Sequence, residues 1–154
     1  RLKMRRELLQ PLHAPIDAKA RRVRDQDAEC LARLMLDAYR GTVDDGGEGP
    51  DEALSEVRKL LQGGYGDFNP SASELIEQDG AVVATTLVTQ YQGAPLIAFS
   101  LTHPKYQRRG LARGGLLRAL EALRQSGHTQ AYLAVTSTNL PALTLYESLG
   151  FQRV

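Results

Sequence analysis

Residues 103–115 read HPKYQRRGLARGG, with the cationic side chains Lys105, Arg108, Arg109 and Arg113 set among the glycines 110, 114 and 115. The stretch lies where an apolar run, APLIAFSLT at 94–102, gives way to a leucine-periodic segment beginning at Leu111. A helix that starts after a strand leaves its first backbone N–H groups without intrahelical acceptors, and its dipole makes that end positive. Glycine lets a bulky anion come close to those amides, and arginine adds charge-assisted hydrogen bonds to phosphate oxygens. Residues 107–112 therefore have the chemistry of a pyrophosphate cradle. Two common phosphate loops do not fit. A Walker A loop needs Lys and then Ser or Thr after its second glycine, whereas Leu116 and Leu117 follow Gly115. A GxGxxG dinucleotide fingerprint needs Gly at 112, where Ala stands, and an early strand–helix–strand unit.

The elements that must position this stretch are legible from periodicity. Leu31, Leu34, Met35, Ala38 and Tyr39 follow helical spacing until Gly41, and a second helix is predicted from Asp51 to about Gln62. Between them lies a Gly-rich acidic loop, TVDDGGEGPDE at 42–52. SELIEQ and AVVATTLVTQY are joined by Asp79-Gly80, a two-residue hairpin signal, and Gln92-Gly93 turns the chain into the strand 94–102. A leucine-rich helix to about Gln125 follows, then the strand TQAYLAVTS, then LPALTLYESLG with Pro141 in its first turn and Gly150 just past its end. The order βααβββαβαβ indicates an α/β or α+β layer fold with a mixed, mostly antiparallel sheet. The crossover 94–136 supplies its one parallel pair.

Composition narrows the class. The chain of 154 residues, 42% hydrophobic and 24% charged, has the makeup of one globular domain. We set residues 1–19 apart as a basic extension and read 20–154 as a single domain. No apolar run is long enough to span a bilayer and no signal-like apolar region opens the chain, so no membrane partner is expected. Cys30 is alone, so an intrachain disulfide is impossible and a cytoplasmic location is expected. No metal ligand set is assigned. Charge is uneven: +6 over residues 1–24, −10 over 25–79 and +5 over 80–154. This distribution suits a carboxy-terminal half that meets a polyanion and a middle that meets a cation.

Gln107-Arg108-Arg109-Gly110-Leu111-Ala112 matches the [QR]-x-x-G-x-[GA] signature of the GCN5-related N-acetyltransferases (GNAT), and the chain resembles that family over roughly residues 20–152. RRVRDQDAECLARLM is similar to its first strand and helix, and Asn139 with LYESLGF (145–151) resembles its second cofactor-binding half. The resemblance implies the GNAT fold and transfer of an acetyl group from acetyl-CoA to an amine by direct attack in a ternary complex. It implies that Gln107, Arg108, Arg109, Gly110, Leu111, Ala112 and Arg113 hold the pyrophosphate, and that Ser100, Leu101 and Thr102 pair with the pantetheine arm. The Leu101 amide would face the oxyanion, Asn139 would bind the pantetheine, and Tyr146 would protonate the departing thiolate.

The acceptor is expected to be a small-molecule or peptide amine, drawn to Asp44, Asp45 and Glu48 if cationic. Candidate proton acceptors are His103, Glu74, Asp44 and Asp45, and none is selected. Cys30, Met35 and Tyr39 are read as core packing. Gly114-Gly115 inside a helix is a departure from the family pattern, read as close packing or cofactor approach. The chain also stops four residues after Gly150, where relatives usually continue through another strand, so that strand is expected to be missing or lent by a partner. A monomer or homodimer fits. Two alternatives stay open: a non-catalytic acyl-CoA sensor, and a nucleic-acid binder using the basic arm. The arm's lack of interleaved aromatics speaks against the second, so no nucleic-acid partner is expected.

Overall fold

A computed structural model describes residues 1–154. Along the chain come β1 (Leu2–Glu7), β2 (Ala20–Arg21), α1 (Ala28–Tyr39), α2 (Pro50–Leu61), β3 (Asp67–Phe68) and β4 (Glu74–Gln78). Then follow β5 (Ala81–Tyr91), β6 (Ala94–Thr102), α3 (Leu111–Gln125), β7 (Gln130–Val135), α4 (Leu140–Ser148) and β8 (Gln152–Arg153). The strands form one sheet in the order β2-β4-β5-β6-β7-β1-β8, with β3 pairing off β5. Every pair is antiparallel except β6 with β7, as the crossover requires. The fold is thus a mixed, mostly antiparallel sheet flanked by four helices.

Local chemistry explains the hairpins. Asp79 and Gly80 have φ of 54° and 78°, and Gln92 and Gly93 have 50° and 82°, so both turns are of the I′ kind whose twist matches the flanking strands. β5 alternates between two cores, with Val88 against α3 and α4 and Leu87 against α1 and α2. On β6 the alternation is broken. Leu87 pairs with Phe99 and Val88 with Ile97, leaving Ala98 as an extra residue in a β-bulge. Ile97 therefore packs in the α3–α4 core while Leu101, an even number of residues on, packs in the α1–α2 core.

The glycine pair in α3 is a packing device. A Cβ on Gly115 would come within 2.6 Å of Thr86 Oγ1 and 3.4 Å of Glu74 Oε1, and one on Gly114 within 3.3 Å of Pro15. The helix thus lies close on β5, at a propensity cost of ~1 kcal/mol per glycine relative to alanine. Arg118 ties α3 to β4 beside it, donating to Glu74 from Nε at 3.0 Å and from Nη2 at 2.6 Å.

Three expectations need correction. Residues 1–19 are not a separate arm: β1 lies inside the sheet, antiparallel to both β7 and β8, and Met4 is fully buried. Its period-two pattern is hard to see because LKMRRE has only two apolar residues among its cations. The short last strand, β8, finds its partner within this chain, in β1. Cys30 is exposed on α1 rather than packed.

Gly115→Ala should lower stability by about 1–3 kcal/mol in chemical denaturation, the scale of overpacking. The loss should shrink when measured in a Thr86→Ala background, because the steric partner is then gone. Equal losses in the two backgrounds would reject this packing account.

Candidate active site

β6 and β7 pair only at Leu96 with Tyr132 and Ile97 with Leu133. Beyond the bulge at Ala98, β6 continues to Thr102 bonded to β5 alone, while β7 continues to Val135 along β1. The sheet therefore forks, because a bulge strengthens local twist and turns one strand away from its neighbour. A cleft of about 430 Å³ occupies the fork. Ser100, Leu101 and Thr102 line one side, Thr138, Asn139 and Pro141 the other, with Tyr39, Asp44 and Gln107 at its ends. Thr102 Oγ1 is itself buried without a hydrogen-bond partner.

At the end of β6, His103 caps a single 3₁₀ turn over Pro104–Tyr106, its Nδ1 accepting from the Lys105 amide at 3.1 Å. Its Nε2 lies 3.6 Å from Asp37. After this turn the amides of residues 107–113 donate to no acceptor in the protein; hydrogen bonding resumes with Gly114 to the Gly110 carbonyl at 2.9 Å. Arg108 and Gly110 are left-handed, with φ of 63° and 77°. Such a backbone curls successive N–H groups around a concave anion site, and the dipole of α3 points its positive end the same way. The Arg109 guanidinium stacks 4.9 Å over the Tyr106 ring, and Arg113 donates to the Ser148 hydroxyl.

The far side of the fork belongs to α4. Asn139 caps that helix, its Oδ1 accepting from the Ala142 amide at 3.2 Å, while its Nδ2 donates to Asp44 at 3.0 Å. Tyr146 packs edge-on against Phe151 with ring centroids 6.0 Å apart. Its ring lies against the core and does not line the cleft, and its hydroxyl makes no hydrogen bond to the protein. Burial, reinforced by the Asp44 charge, pushes the Tyr146 phenol above its ordinary pKa, so it stays protonated at neutral pH. Tyr39 is shifted upward for the same two reasons, burial first.

A second cavity, about 300 Å³, opens between α1, α2 and the 41–49 loop. It gathers Asp44, Asp45 and Glu48 with the cationic Arg1 and Arg40, and with residues that the sequence did not mark for a site: Tyr39, Tyr65, Phe99, Glu52 and Glu56. Helical spacing had placed Tyr39 in the core, and a place at the end of α1 beside the acidic loop was the only hint of another role. Tyr65 donates to Glu56, and burial followed by that bond raises its pKa to about 12. Among the expected proton acceptors, Glu74 is held by Arg118, and Nδ1 of His103 already accepts from Lys105 with Asp37 near its other nitrogen.

A family model described as the Acetyltransferase (GNAT) family matches residues 31–151. The chain belongs to the GNAT family. The family's signature residues here, Gln107–Ala112, are among those whose amides stand unpaired. Over 162 aligned residues the chain is 31% identical to a protein named mycothiol acetyltransferase from Thermobispora bispora, covering 98% of this chain and 53% of that one. Over 149 residues it is 29% identical to YjgM of Escherichia coli, named an uncharacterized N-acetyltransferase, covering 92% of this chain and 86% of that one. A crystal structure of a GCN5-related N-acetyltransferase from Sphaerobacter thermophilus superposes with a TM-score of 0.75 at 20% identity, over 99% of this chain and 48% of that one. The chain thus spans about half the length of the mycothiol acetyltransferase and of that solved structure.

Site-resolved NMR titration should place the Tyr39 and Tyr146 phenols above the ordinary ~10. Asp44→Asn should move both downward, since the variant removes a negative charge that opposes ionisation. Unshifted titrations in the variant would show that the charge of Asp44 does not act on them.

Proposed function

We propose that this GNAT chain moves an acetyl group from acetyl-CoA to an amine, with donor and acceptor bound together. The observation that carries this reading is the run of unpaired amides at 107–113, directly after a strand that has parted from its neighbour. The residues present fit the donor. Free N–H groups with Arg108, Arg109 and Arg113 suit a diphosphate, and Thr102 lines the cleft that would take the pantetheine arm. Acetyl-CoA supplies an acyl group already activated as a thioester.

In this reading Gln107, Arg108, Arg109, Gly110, Leu111, Ala112 and Arg113 hold the diphosphate, and Ser100 and Thr102, whose backbone groups point away from β5, offer them to the arm in the manner of strand addition. The oxyanion contact expected of the Leu101 amide does not fit the ladder: His103 donates to Val83, and the same register turns the Leu101 N–H toward Thr85 of β5. The neutral phenol of Tyr146 gives its proton to the leaving sulfur. Asn139 offers the arm its Nδ2 only by exchanging with Asp44. The acceptor enters from the second cavity, whose wall carries Asp44, Asp45 and Glu48. An alkyl amine with pKa ~10.4 arrives mainly as the ammonium. Its proton passes to water, because His103 and Glu74 are committed elsewhere.

One observation favours binding without turnover: Tyr146 does not line the cleft. Thiol release from acetyl-CoA with a panel of polyamines, aminoglycosides, amino acids and peptides separates the two readings. Tyr146→Phe should lower kcat by about 10²-fold, the scale of general acid catalysis, and leave acetyl-CoA affinity within twofold. Equal rates would remove Tyr146 as the acid, and binding without thiol release for any amine would favour the sensor. In calorimetry, Arg108→Ala with Arg109→Ala should weaken acetyl-CoA binding and flatten its salt dependence. Absence of binding by the unaltered protein would reject the proposal.

A further inference from the structure

The three acidic residues grouped by sequence behave differently once folded. Asp45 accepts from the Gly41 and Gly47 amides at 3.0 and 2.9 Å, and Glu48 from the Gly46 amide at 3.1 Å, so both serve their own loop. Asp44 alone reaches across the fork. Its Oδ1 accepts from Thr136 Oγ1 at 2.6 Å and its Oδ2 from Asn139 Nδ2 at 3.0 Å, from donors 92 and 95 residues further along the chain. A hydroxyl bond this short to a carboxylate is of the charge-assisted kind. Both donors are neutral, and Asp44, although half-buried, has no Lys, Arg or His within ion-pair distance.

Position completes the argument. Asp44 and Tyr39 are the residues common to the cleft in the fork and the second cavity. The two spaces thus share this carboxylate as part of a common wall. Arg1 and Arg40 also line the second cavity, but neither pairs with Asp44, and a half-buried carboxylate held only by neutral donors favours a bound cation. Aromatic rings of Tyr39, Tyr65 and Phe99 in the same cavity add faces that attract cations and cover methylene groups.

We infer that Asp44, held by Thr136 when Asn139 has turned to the pantetheine arm, binds the acceptor's ammonium group on the wall that the two cavities share, and that Thr136 is a positioning residue which selects cationic amines over neutral ones. This rests on the acyltransferase reading of the cleft. Thr136 holds the carboxylate of Asp44 and does not itself touch the substrate.

The test uses butylamine and O-propylhydroxylamine, which match in length, the first charged at pH 7 and the second neutral because oxygen withdraws electrons from its nitrogen. Binding of butylamine is measured by calorimetry on the full chain with saturating CoA, and turnover is measured with acetyl-CoA. Asp44→Asn should weaken butylamine binding at least tenfold and Thr136→Val at least fivefold, while Thr136→Ser restores it. Turnover of O-propylhydroxylamine should change less than threefold in Thr136→Val, and acetyl-CoA affinity less than twofold, which a merely structural defect would not allow. Circular dichroism and melting confirm that each variant folds. Unchanged butylamine binding in both variants, equal losses for the two amines, or no butylamine binding by the unaltered protein would overturn the inference. Asp44-dependent binding with no thiol release for either amine would leave the ammonium site in place and reject the acyltransferase reading instead.

Discussion

The site depends on hydrogen bonds that are not made. β6 and β7 pair through Ile97 and Leu133 and then part, and the cleft lies in the gap between them. The cause is one surplus residue, Ala98, which rotates the end of β6 so that Leu101 enters the α1–α2 core while Ile97 stays in the other. A regular strand would keep both on one face and have no reason to leave its neighbour. The same strand delivers the chain to the turn at Pro104 and to the unpaired amides at 107–113.

Close packing holds the anion loop in place. α3 lies near β5 because Gly115 carries no side chain against Thr86, and the Arg118–Glu74 pair ties the helix to β4. The positive end of the helix is thus fixed relative to the fork rather than free to drift. β1, entering from the other end of the chain, supports the opposite side by pairing with β7 along its whole length, so β7 can leave β6 without becoming an edge.

Charge follows the same division. The carboxy-terminal half supplies the arginines around the anion loop, and the −10 of the middle segment gathers partly around the second cavity. Asp44 joins the halves, since it belongs to the acidic loop by sequence and to Thr136 and Asn139 by contact. In the proposed reading, donor and acceptor spaces share a wall that is held by hydrogen bonds across the fork.

Much of this was readable in the residues themselves. The helix spans of α1, α2 and α3, the two I′ turns and the parallel crossover follow from periodicity and turn chemistry, which are local properties. The anion loop was legible for the same reason, because glycine, arginine and helix-start amides lie next to one another in the chain. Tertiary structure alone decided the bulge, the inward place of β1 and the reason for Gly114-Gly115, since each depends on a partner far away in sequence. It also decided the roles of particular side chains: His103 and Glu74 lost their candidacy to Asp37, Lys105 and Arg118, and Asp44 parted from Asp45 and Glu48. Residue type specifies what a group can donate or accept, whereas its partner is set by packing that brings distant segments together.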